Sequence, residues 1–433
     1  MAKVQSPGQV WRVSDNEERV SSDAQPDTSR LYRPDVLETI QERLAEMDEE
    51  LRALSLDIHE HPELAFKESY AHDTMTAFMA KHGFEITRNY HLETAWKATF
   101  SHGKGGNTVG INSEMDALPG VGHACGHNLI GMSGIAVACA LKAAMENWDI
   151  SGKIVILGTP AEEGGGGKKI LLEKGAYDGM DACLMCHPAP GPKGSVSLTS
   201  CLALNRVMVE FNGHTAHAAL SPWEAQNALD AAVLSYNNIS ALRQQMKPTH
   251  RAHGIFEGNG WVPGIIPDYA KMFYYVRAPT TAEVKALVPR VINCFKAAAL
   301  ATGCDVKIDT VATTDDLRQN EALGEEVGNI TIARGGSVDY EYWGIKSAST
   351  DFGDVTYALP SLHPGFAIPT ELNGGNHTHA FAKSAKGIEA HRACIDVSIA
   401  LAGAGVRILL DNDFLAKVKA AFEADKKARE AET

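Results

Sequence analysis

The chain has 433 residues, which is enough for two domains with separate hydrophobic cores. A formal net charge of -14 argues against a nucleic-acid backbone or an anionic membrane as a partner, because like charges repel. The hydrophobic and charged fractions, 44% and 22%, exclude wholesale disorder.

The first 30 residues are polar and without hydrophobic periodicity, so residues 1–30 are predicted to be a flexible arm. They contain no apolar core of a secretory signal, and no apolar run in the chain approaches the roughly 20 residues that span a bilayer. The eight cysteines are scattered instead of spaced as a disulfide framework. These features predict a cytoplasmic protein without membrane contact.

Helices and apolar strands alternate over residues 31–203. The predicted elements are, in chain order, helices over 35–58 and 69–81, strands near 85–88, 96–100 and 108–112, a helix over 130–145, a strand over 153–159, a helix over 168–174 and a strand over 182–187. This alternation predicts an α/β fold with a mostly parallel sheet flanked by helices. Side chains that follow parallel strands should then converge at one edge of the sheet.

The pattern changes near Leu204. The next elements are a strand over 205–213, a helix over 222–246, strands near 252–256 and 269–277, a helix over 281–302 and a strand near 306–309. Their order predicts a small α/β sandwich inserted over residues 204–314. The first pattern resumes afterwards, with closing helices near 384–410 and 413–427. Residues 31–203 and 315–433 are therefore predicted to form one domain.

Potential metal ligands follow three consecutive predicted strands. Cys125 and His127 lie in SEMDALPGVGHACGHN, the adjacent Glu162 and Glu163 follow KIVILGT, and His187 ends ACLMCH. Thiolate, imidazole and carboxylate are ligands of transition metals, and one of two adjacent carboxylates can remain a general base. Taken singly, these residues could instead be a buried thiol, a helix-capping imidazole or a solvated loop. Their convergence favours a metallohydrolase.

Two glycine-rich segments resemble nucleotide-binding loops but lack the required spacing. In GVGHACG the glycines stand at 120, 122 and 126, which does not fit GxGxxG. The glycines at 164–167 precede Lys168, but Glu162 stands at the first glycine of a phosphate loop and Lys169 at its Ser/Thr. Nucleotide binding is therefore not expected.

Seven motifs occur in this order: EMDALPGVGHACGHN, TPAEEGGGG, CHPAP, NGHTAHAA, MFYYVRAPT, STDFGDV and GNHTHAF. Over about residues 35–425 the chain resembles the two-domain zinc amidohydrolases of peptidase family M20, and most closely the intracellular dipeptidases that cleave β-alanyl-lysine and related dipeptides. The resemblance implies a catalytic domain with two divalent ions, Zn²⁺ or Mn²⁺, and an inserted lid domain that mediates homodimerisation. It implies hydrolysis of the amide bond of a dipeptide or N-acyl amino acid with a free carboxylate, by a metal-activated water.

The resemblance also implies roles for single residues. The five implied metal ligands are Cys125, His127, Glu163, His187 and His377. Glu162 is the implied general base, and Asp116 the carboxylate that steadies the site. His217 is implied to reach the active site of a neighbouring subunit and to stabilise the oxyanion there. Arg277, on a lid strand, is either a clamp for the substrate carboxylate or a solvated sheet residue.

Several alternatives remain at this stage. His363 and His379 compete with His377 for the last ligand position. Glu114 stands where other branches of the family have a ligand histidine, and Gly264 stands where they commonly have an asparagine near the substrate. Two other functions fit the sequence: hydrolysis of an unusual amide conjugate such as a toxin or xenobiotic, and a non-catalytic binding protein on the same fold.

Overall fold

The structure is a computed structural model that describes residues 31–340, 344 and 346–432. The predicted arm over residues 1–30 lies outside the described residues. The chain divides into two compact units: Met1–Ser200 with Arg318–Ala428, and Cys201–Leu317 with Arg429–Thr433. The insertion predicted from the sequence covered 204–314.

The first unit contains most helices and strands of the chain. Its helices are α1 (Pro34–Glu46), α2 (Asp48–Glu60), α3 (Ser69–Lys81), α4 (His127–Asn147), α5 (Gly167–Glu173), α8 (Glu321–Ala333), α9 (Phe352–Ala358), α10 (His379–Ala385), α11 (Ile388–Leu410) and most of α12 (Asn412–Glu432). Its strands are β1 (Glu85–Thr87), β2 (Trp96–His102), β3 (Asn107–Glu114), β4 (Gly152–Thr159), β5 (Ala182–Leu184), β6 (His187–Pro190), β7 (Ser195–Ser197), β12 (Ser337–Asp339), β13 (Ser361–Leu362) and β14 (Gly365–Ile368).

These strands form two sheets. The larger has the order β1-β2-β4-β3-β5-β13. β4, β3, β5 and β13 are parallel, β2 pairs antiparallel with β4, and the edge strand β1 pairs antiparallel with β2. The smaller has the order β12-β7-β14-β6. The prediction of an α/β fold with a mostly parallel sheet is confirmed. β3 and β4 are buried along almost their whole length, as expected for strands covered on both faces.

Several elements differ from the sequence-based prediction; the strand predicted over 182–187, for example, is divided into β5 and β6. The single helix predicted over 35–58 is divided at Met47, but Met47 N–H donates to Arg43 and Leu51 N–H donates to Met47, so the hydrogen bonding continues across the bend. The helix predicted over 222–246 is shorter, because the Asn227 side chain accepts hydrogen bonds from the first turn and caps it there.

In the described part of the chain, two helices, α4 and α11, have the length and hydropathy of a membrane span, although the sequence contains no uninterrupted apolar run of that length. The tested windows are 89% and 72% buried inside the protein. Side chains of both helices, including Leu141 and Ile408, belong to the core of the first unit. Packing in this core accounts for their apolar composition.

The second unit has the predicted order of elements: β8 (Ala203–Asn212), α6 (Ala228–Leu242), β9 (Arg251–Gly258), β10 (Tyr269–Ala278), α7 (Thr281–Thr302) and β11 (Asp305–Thr314). Its antiparallel sheet has the order β11-β8-β10-β9, with β9 at one edge. Side chains of β8 and β10 alternate between buried and half-buried, because α6 and α7 cover one face.

Candidate metal centre

The predicted ligands come together because β4, β3 and β5 are parallel neighbours in the larger sheet. Cys125 lies in the loop between β3 and α4, and His127 is the first residue of α4. The turn after β4 carries Glu162 and Glu163, and His187 begins β6 just after β5. Loops at the carboxyl ends of parallel strands meet at one edge, as the sequence predicted.

Two groups of potential ligand atoms share the Cys125 thiol. One consists of the Cys125 sulfur and ring nitrogens of His127 and His187, and the other of the same sulfur, a Glu163 carboxylate oxygen and a His377 ring nitrogen. Within each group the atoms lie within 4.8 Å of one another. Cys125 Sγ is 3.3 Å from His187 Nε2, and Glu163 Oε1 is 3.3 Å from His377 Nε2. Two sets of three potential ligands that share one sulfur could hold two divalent ions.

The hydrogen bond that His187 makes outside the centre shows which of its ring nitrogens carries the proton. His187 Nδ1 lies 2.8 Å from the Pro188 carbonyl oxygen, which can only accept, so Nδ1 carries the proton. The nitrogen near Cys125, Nε2, therefore keeps its lone pair. Burial lowers the pKa of His187 to about 4, so the ring is neutral near pH 7, as a metal ligand must be.

Asp116 connects two of the predicted ligands. Its Oδ1 lies 3.2 Å from His127 Nδ1, and its Oδ2 accepts a hydrogen bond of 2.9 Å from the Glu163 backbone N–H. A buried carboxylate on the outer nitrogen of a ligating histidine orients the ring and raises its basicity. The role predicted for Asp116, a carboxylate that steadies the site, stays a prediction.

The pKa values of the buried side chains indicate whether the site could bind divalent cations. Burial, and then the charges of Glu114 and Glu163, raise the pKa of Glu162 well above its ordinary value. Burial and the charge of Glu163 likewise raise the pKa of the Cys125 thiol. Burial is the larger cause of both shifts, and the neighbouring anions add to it, so further positive charge at the site would favour the ionised forms. Divalent ions would supply that charge and ionise the thiol, so the donor set fits a pair of such ions.

A separate acidic group, Glu114, Glu162 and Asp351, surrounds the ammonium of Lys168. Lys168 Nζ lies 2.6 Å from Glu114 Oε1 and 2.5 Å from Asp351 Oδ1. Burial alone would lower the pKa of the fully buried Lys168, but Asp351 and Glu114 outweigh burial and raise the pKa. The ammonium therefore stays charged and balances part of the negative charge of these carboxylates.

The competing histidines occupy different positions. His363 is fully buried and its ring stacks on His187 with 5.9 Å between centroids, whereas His379 is exposed at the start of α10. Within the described part of the chain, neither His363 nor His379 contributes a nitrogen to a potential ligand group, and His377 does. His123, which flanks Cys125 in the sequence, is also buried and outside these groups.

His217 and Arg277 belong to the second unit. His217 Nδ1 accepts hydrogen bonds from the backbone N–H groups of Ala219 at 3.2 Å and Leu220 at 3.1 Å. The proton of its neutral ring is therefore on Nε2, which is a donor. Arg277 is half-buried on β10, and its guanidinium carbon lies 5.5 Å from the centroid of the Tyr275 ring. The roles predicted for His217 and Arg277 remain predictions.

The sequence interpretation missed the part played by Lys168, which it treats only as the lysine of an incomplete phosphate loop. The available signal was charge: motifs that converge on one edge contribute Glu114, Glu162 and Asp351, and buried carboxylates need a cation or a donor. It also missed Glu68, which accepts hydrogen bonds from the nearby Phe66 N–H, from the Thr94 hydroxyl and from the N–H of Ala161, 93 positions away. No motif reveals a contact of that kind.

Comparisons with known proteins agree with the predicted family. The sequence pattern of peptidase family M20/M25/M40 matches residues 110–428. The Xaa-Arg dipeptidase of Mus musculus is 38% identical over 424 residues, which cover 93% of this chain and 96% of the mouse protein. The Xaa-Arg dipeptidase of Homo sapiens is 37% identical over 405 residues, which cover 88% and 91% of the two chains.

A solved structure shares the fold. It is a dinuclear metal binding peptidase from the M20 family of Bacillus subtilis, with a TM-score of 0.64 and 19% identity, and the alignment covers 84% of this chain and 99% of the other. These matches confirm the predicted family and the prediction of an amide-bond hydrolase. The chain therefore belongs to peptidase family M20/M25/M40.

Proposed function

We propose that this protein is a metal-dependent dipeptidase that releases a basic C-terminal amino acid from a dipeptide with a free carboxylate. The observation that carries the proposal is the pair of ligand groups that share Cys125, next to the carboxylate of Glu162. The Xaa-Arg specificity in the names of the mouse and human relatives supports the choice of arginine, or the similarly charged lysine, as the released residue.

Each member of the site has a proposed role. One ion, Zn²⁺ or Mn²⁺, would be held by Cys125, His127 and His187, and the other by Cys125, Glu163 and His377. Such ions lower the pKa of a bound water from about 15.7 to about 7. Glu162 removes a proton from the attacking water and delivers it to the leaving nitrogen. Its raised pKa suits it to hold that proton between the two transfers.

We further propose a homodimer that forms through the second unit. Strand β9 is an edge of its sheet, and Ile255 and Phe256 on this strand are 58% and 39% exposed. An edge strand with exposed apolar side chains is a surface that a second copy can cover. In this dimer His217 donates from Nε2 to the oxyanion in the partner's site, and Arg277 binds the substrate carboxylate.

We also propose a cytoplasmic location. No disulfide links any of the eight cysteines, all of which lie in the described ranges, and this supports a reducing environment.

Replacing His217 with alanine should lower kcat by about 10²- to 10³-fold, because one oxyanion donor is lost, while bound metal is unchanged. Steady-state kinetics and elemental analysis measure the two effects. His214→Ala is the matched control: it removes an exposed histidine of the same motif and should leave kcat nearly unchanged.

Mixed dimers test whether His217 acts in the partner's site. A dimer of Glu162→Gln and His217→Ala subunits retains one site with both groups intact only if His217 serves the other subunit. Unfolding and refolding an equal mixture of the two inactive variants should therefore restore about a quarter of the activity, since about half of the dimers are mixed. No recovery in a mixture shown to contain mixed dimers contradicts the role.

The activity itself is tested on a panel of dipeptides and N-acyl amino acids, followed by mass spectrometry. The panel includes Xaa-Arg, Xaa-Lys, β-alanyl and γ-aminobutyryl dipeptides, each with added Zn²⁺ or Mn²⁺ and with a chelator. We expect release of free arginine or lysine that stops when the chelator removes the ions.

The other outcomes identify the two competing functions. If no substrate of the panel is cleaved although the protein binds metal, an unusual amide conjugate is favoured as the substrate. If no substrate is cleaved and the protein binds no metal, a non-catalytic binding protein is favoured.

A further inference from the structure

A buried glutamate outside the ligand groups is hydrogen-bonded to the turn that carries the two glutamates of the centre. Glu68 is 0% exposed, and its Oε1 accepts hydrogen bonds from the backbone N–H groups of Ala161 at 2.9 Å and of Phe66 at 3.0 Å. Its Oε2 accepts a bond of 2.7 Å from the Thr94 hydroxyl. A fully buried carboxylate requires such donors. Ala161 directly precedes the two glutamates, so Glu68 is bound to the entry of the turn.

The two residues that donate to Glu68 Oε1 share an unusual backbone conformation. The angle φ is +59° at Ala161 and +62° at Phe66, in the left-handed region that residues with a side chain rarely adopt. Such a conformation is energetically unfavourable and persists only where the surroundings hold it. The Ala161 carbonyl accepts hydrogen bonds from Gly165 at 2.9 Å and Gly167 at 3.4 Å, which close the turn. The Glu68 carboxylate holds the residue at which this turn begins.

The same short segment, residues 63–68, also contacts the other loop of the centre. The Glu63 carbonyl accepts a hydrogen bond of 2.8 Å from the N–H of Ala117, the residue after Asp116. Asp116 in turn binds His127 and the Glu163 N–H. Residues 63–68 therefore hold the backbone of both loops that supply acidic side chains.

We propose that Glu68 is a positioning residue, which holds Ala161 in the left-handed conformation and so sets the directions of the Glu162 and Glu163 side chains. The inference rests on the roles proposed above for these two glutamates. A rotation at Ala161 would move both carboxylates together. A displacement of about 1 Å in a reacting group can cost about 100-fold in rate.

Three variants of the full chain test this role: Glu68→Ala, Glu68→Gln and the double variant Glu68→Ala/Ala161→Gly. Glu68→Ala should lower kcat by about 10- to 100-fold with little change in KM. It should also weaken Mn²⁺ binding in calorimetric titration by about 10-fold, because Glu163 lies in the same turn. Glu68→Gln keeps an oxygen for the two N–H groups and can donate to Thr94, so it should resemble the unaltered protein.

The double variant separates positioning from general stability. Glycine adopts positive φ without steric cost, so Ala161→Gly should restore part of the kcat that Glu68→Ala loses. A role of Glu68 in stability alone predicts no such recovery. Absence of recovery in folded protein therefore overturns the proposed route through Ala161.

Glu326 provides a matched control. It is 2% exposed in α8, its carboxylate pairs with Arg407, and it lies outside the ligand groups. Glu326→Ala should lower the unfolding midpoint and leave the kcat and Mn²⁺ affinity of the folded protein unchanged. If Glu68→Ala behaves in the same way, Glu68 is not a positioning residue.

Two further measurements keep the inference testable. If Glu68→Ala does not fold, Glu68→Asp replaces it, because the shorter side chain keeps the charge but withdraws the acceptor from Ala161. Unchanged kcat and Mn²⁺ affinity in Glu68→Asp would overturn the inference. If the unaltered protein cleaves no substrate, the Mn²⁺ affinities alone decide: weaker binding in the variant supports the positioning role and equal binding contradicts it.

Discussion

Glu162→Gln is expected to lower kcat by about 10²- to 10⁴-fold while the metal content stays the same. The amide has the shape of the carboxylate but cannot accept a proton from water.

The same substitution should change stability, because it removes a carboxylate whose pKa is raised by burial and by neighbouring anions. A raised carboxyl pKa means that ionisation at neutral pH opposes folding, so the metal-free variant should be more stable than the metal-free parent. Kinetics, elemental analysis and thermal unfolding measure the three effects.

The adjacent residue supplies the control for Glu162. Glu163→Gln changes the same chemical group one position along. Both glutamates form a potential ligand group with His127, and Glu163 forms a second one with Cys125 and His377. It should lose metal, and its loss of activity should diminish at high metal concentration. If Glu162→Gln instead loses metal as Glu163→Gln does, Glu162 is a ligand, and if it keeps its full kcat, the general base is another residue.

Lys168→Met is expected to lower the free energy of unfolding by about 3–5 kcal/mol. The methionine fills a similar volume, but Glu114 and Asp351 would then be buried together without the ammonium that now lies between them. Removing one partner of a buried ion pair leaves an uncompensated charge, which is far more costly than removing a surface pair. Urea titration with chelator present measures the loss.

Lys193→Met is the control for that prediction. The Lys193 side chain is 90% exposed and lies 3.1 Å from Glu389, so solvent screens the pair and the substitution should have little effect. If Lys168→Met unfolds at the same urea concentration as Lys193→Met, the carboxylates around Lys168 do not depend on its charge.

The repeating patterns of the sequence predicted most of the fold. Hydrophobic spacing predicted the helix over 69–81 within its observed bounds, and apolar runs predicted the buried β3 and β4. The parallel order of the strands then brings Cys125 and Glu163 to one edge. These inferences succeed because the spacing of apolar residues and the order of the strands can be read directly along the sequence.

The contacts that complete the site depend on tertiary structure instead. Glu68 reaches Ala161 across 93 positions, and Lys168 reaches Asp351 across 183. Neither partner can be inferred from spacing, because the backbone N–H of Ala161 is chemically the same as any other. The bend at Met47 is similarly invisible, since the apolar periodicity continues through it.

The discontinuity of the first unit has a consequence for the order in which the protein can assemble during synthesis. β13 and β14, which pair with β5 and β6, follow the second unit in the chain, and so does His377. The second unit is almost entirely continuous and can fold as soon as it leaves the ribosome, whereas the larger sheet must wait for strands made later. The nascent chain therefore exposes the open side of β5 for the time needed to synthesise more than 100 residues. Because His377 emerges last among the predicted ligands, a complete set of metal ligands exists only in a nearly finished chain.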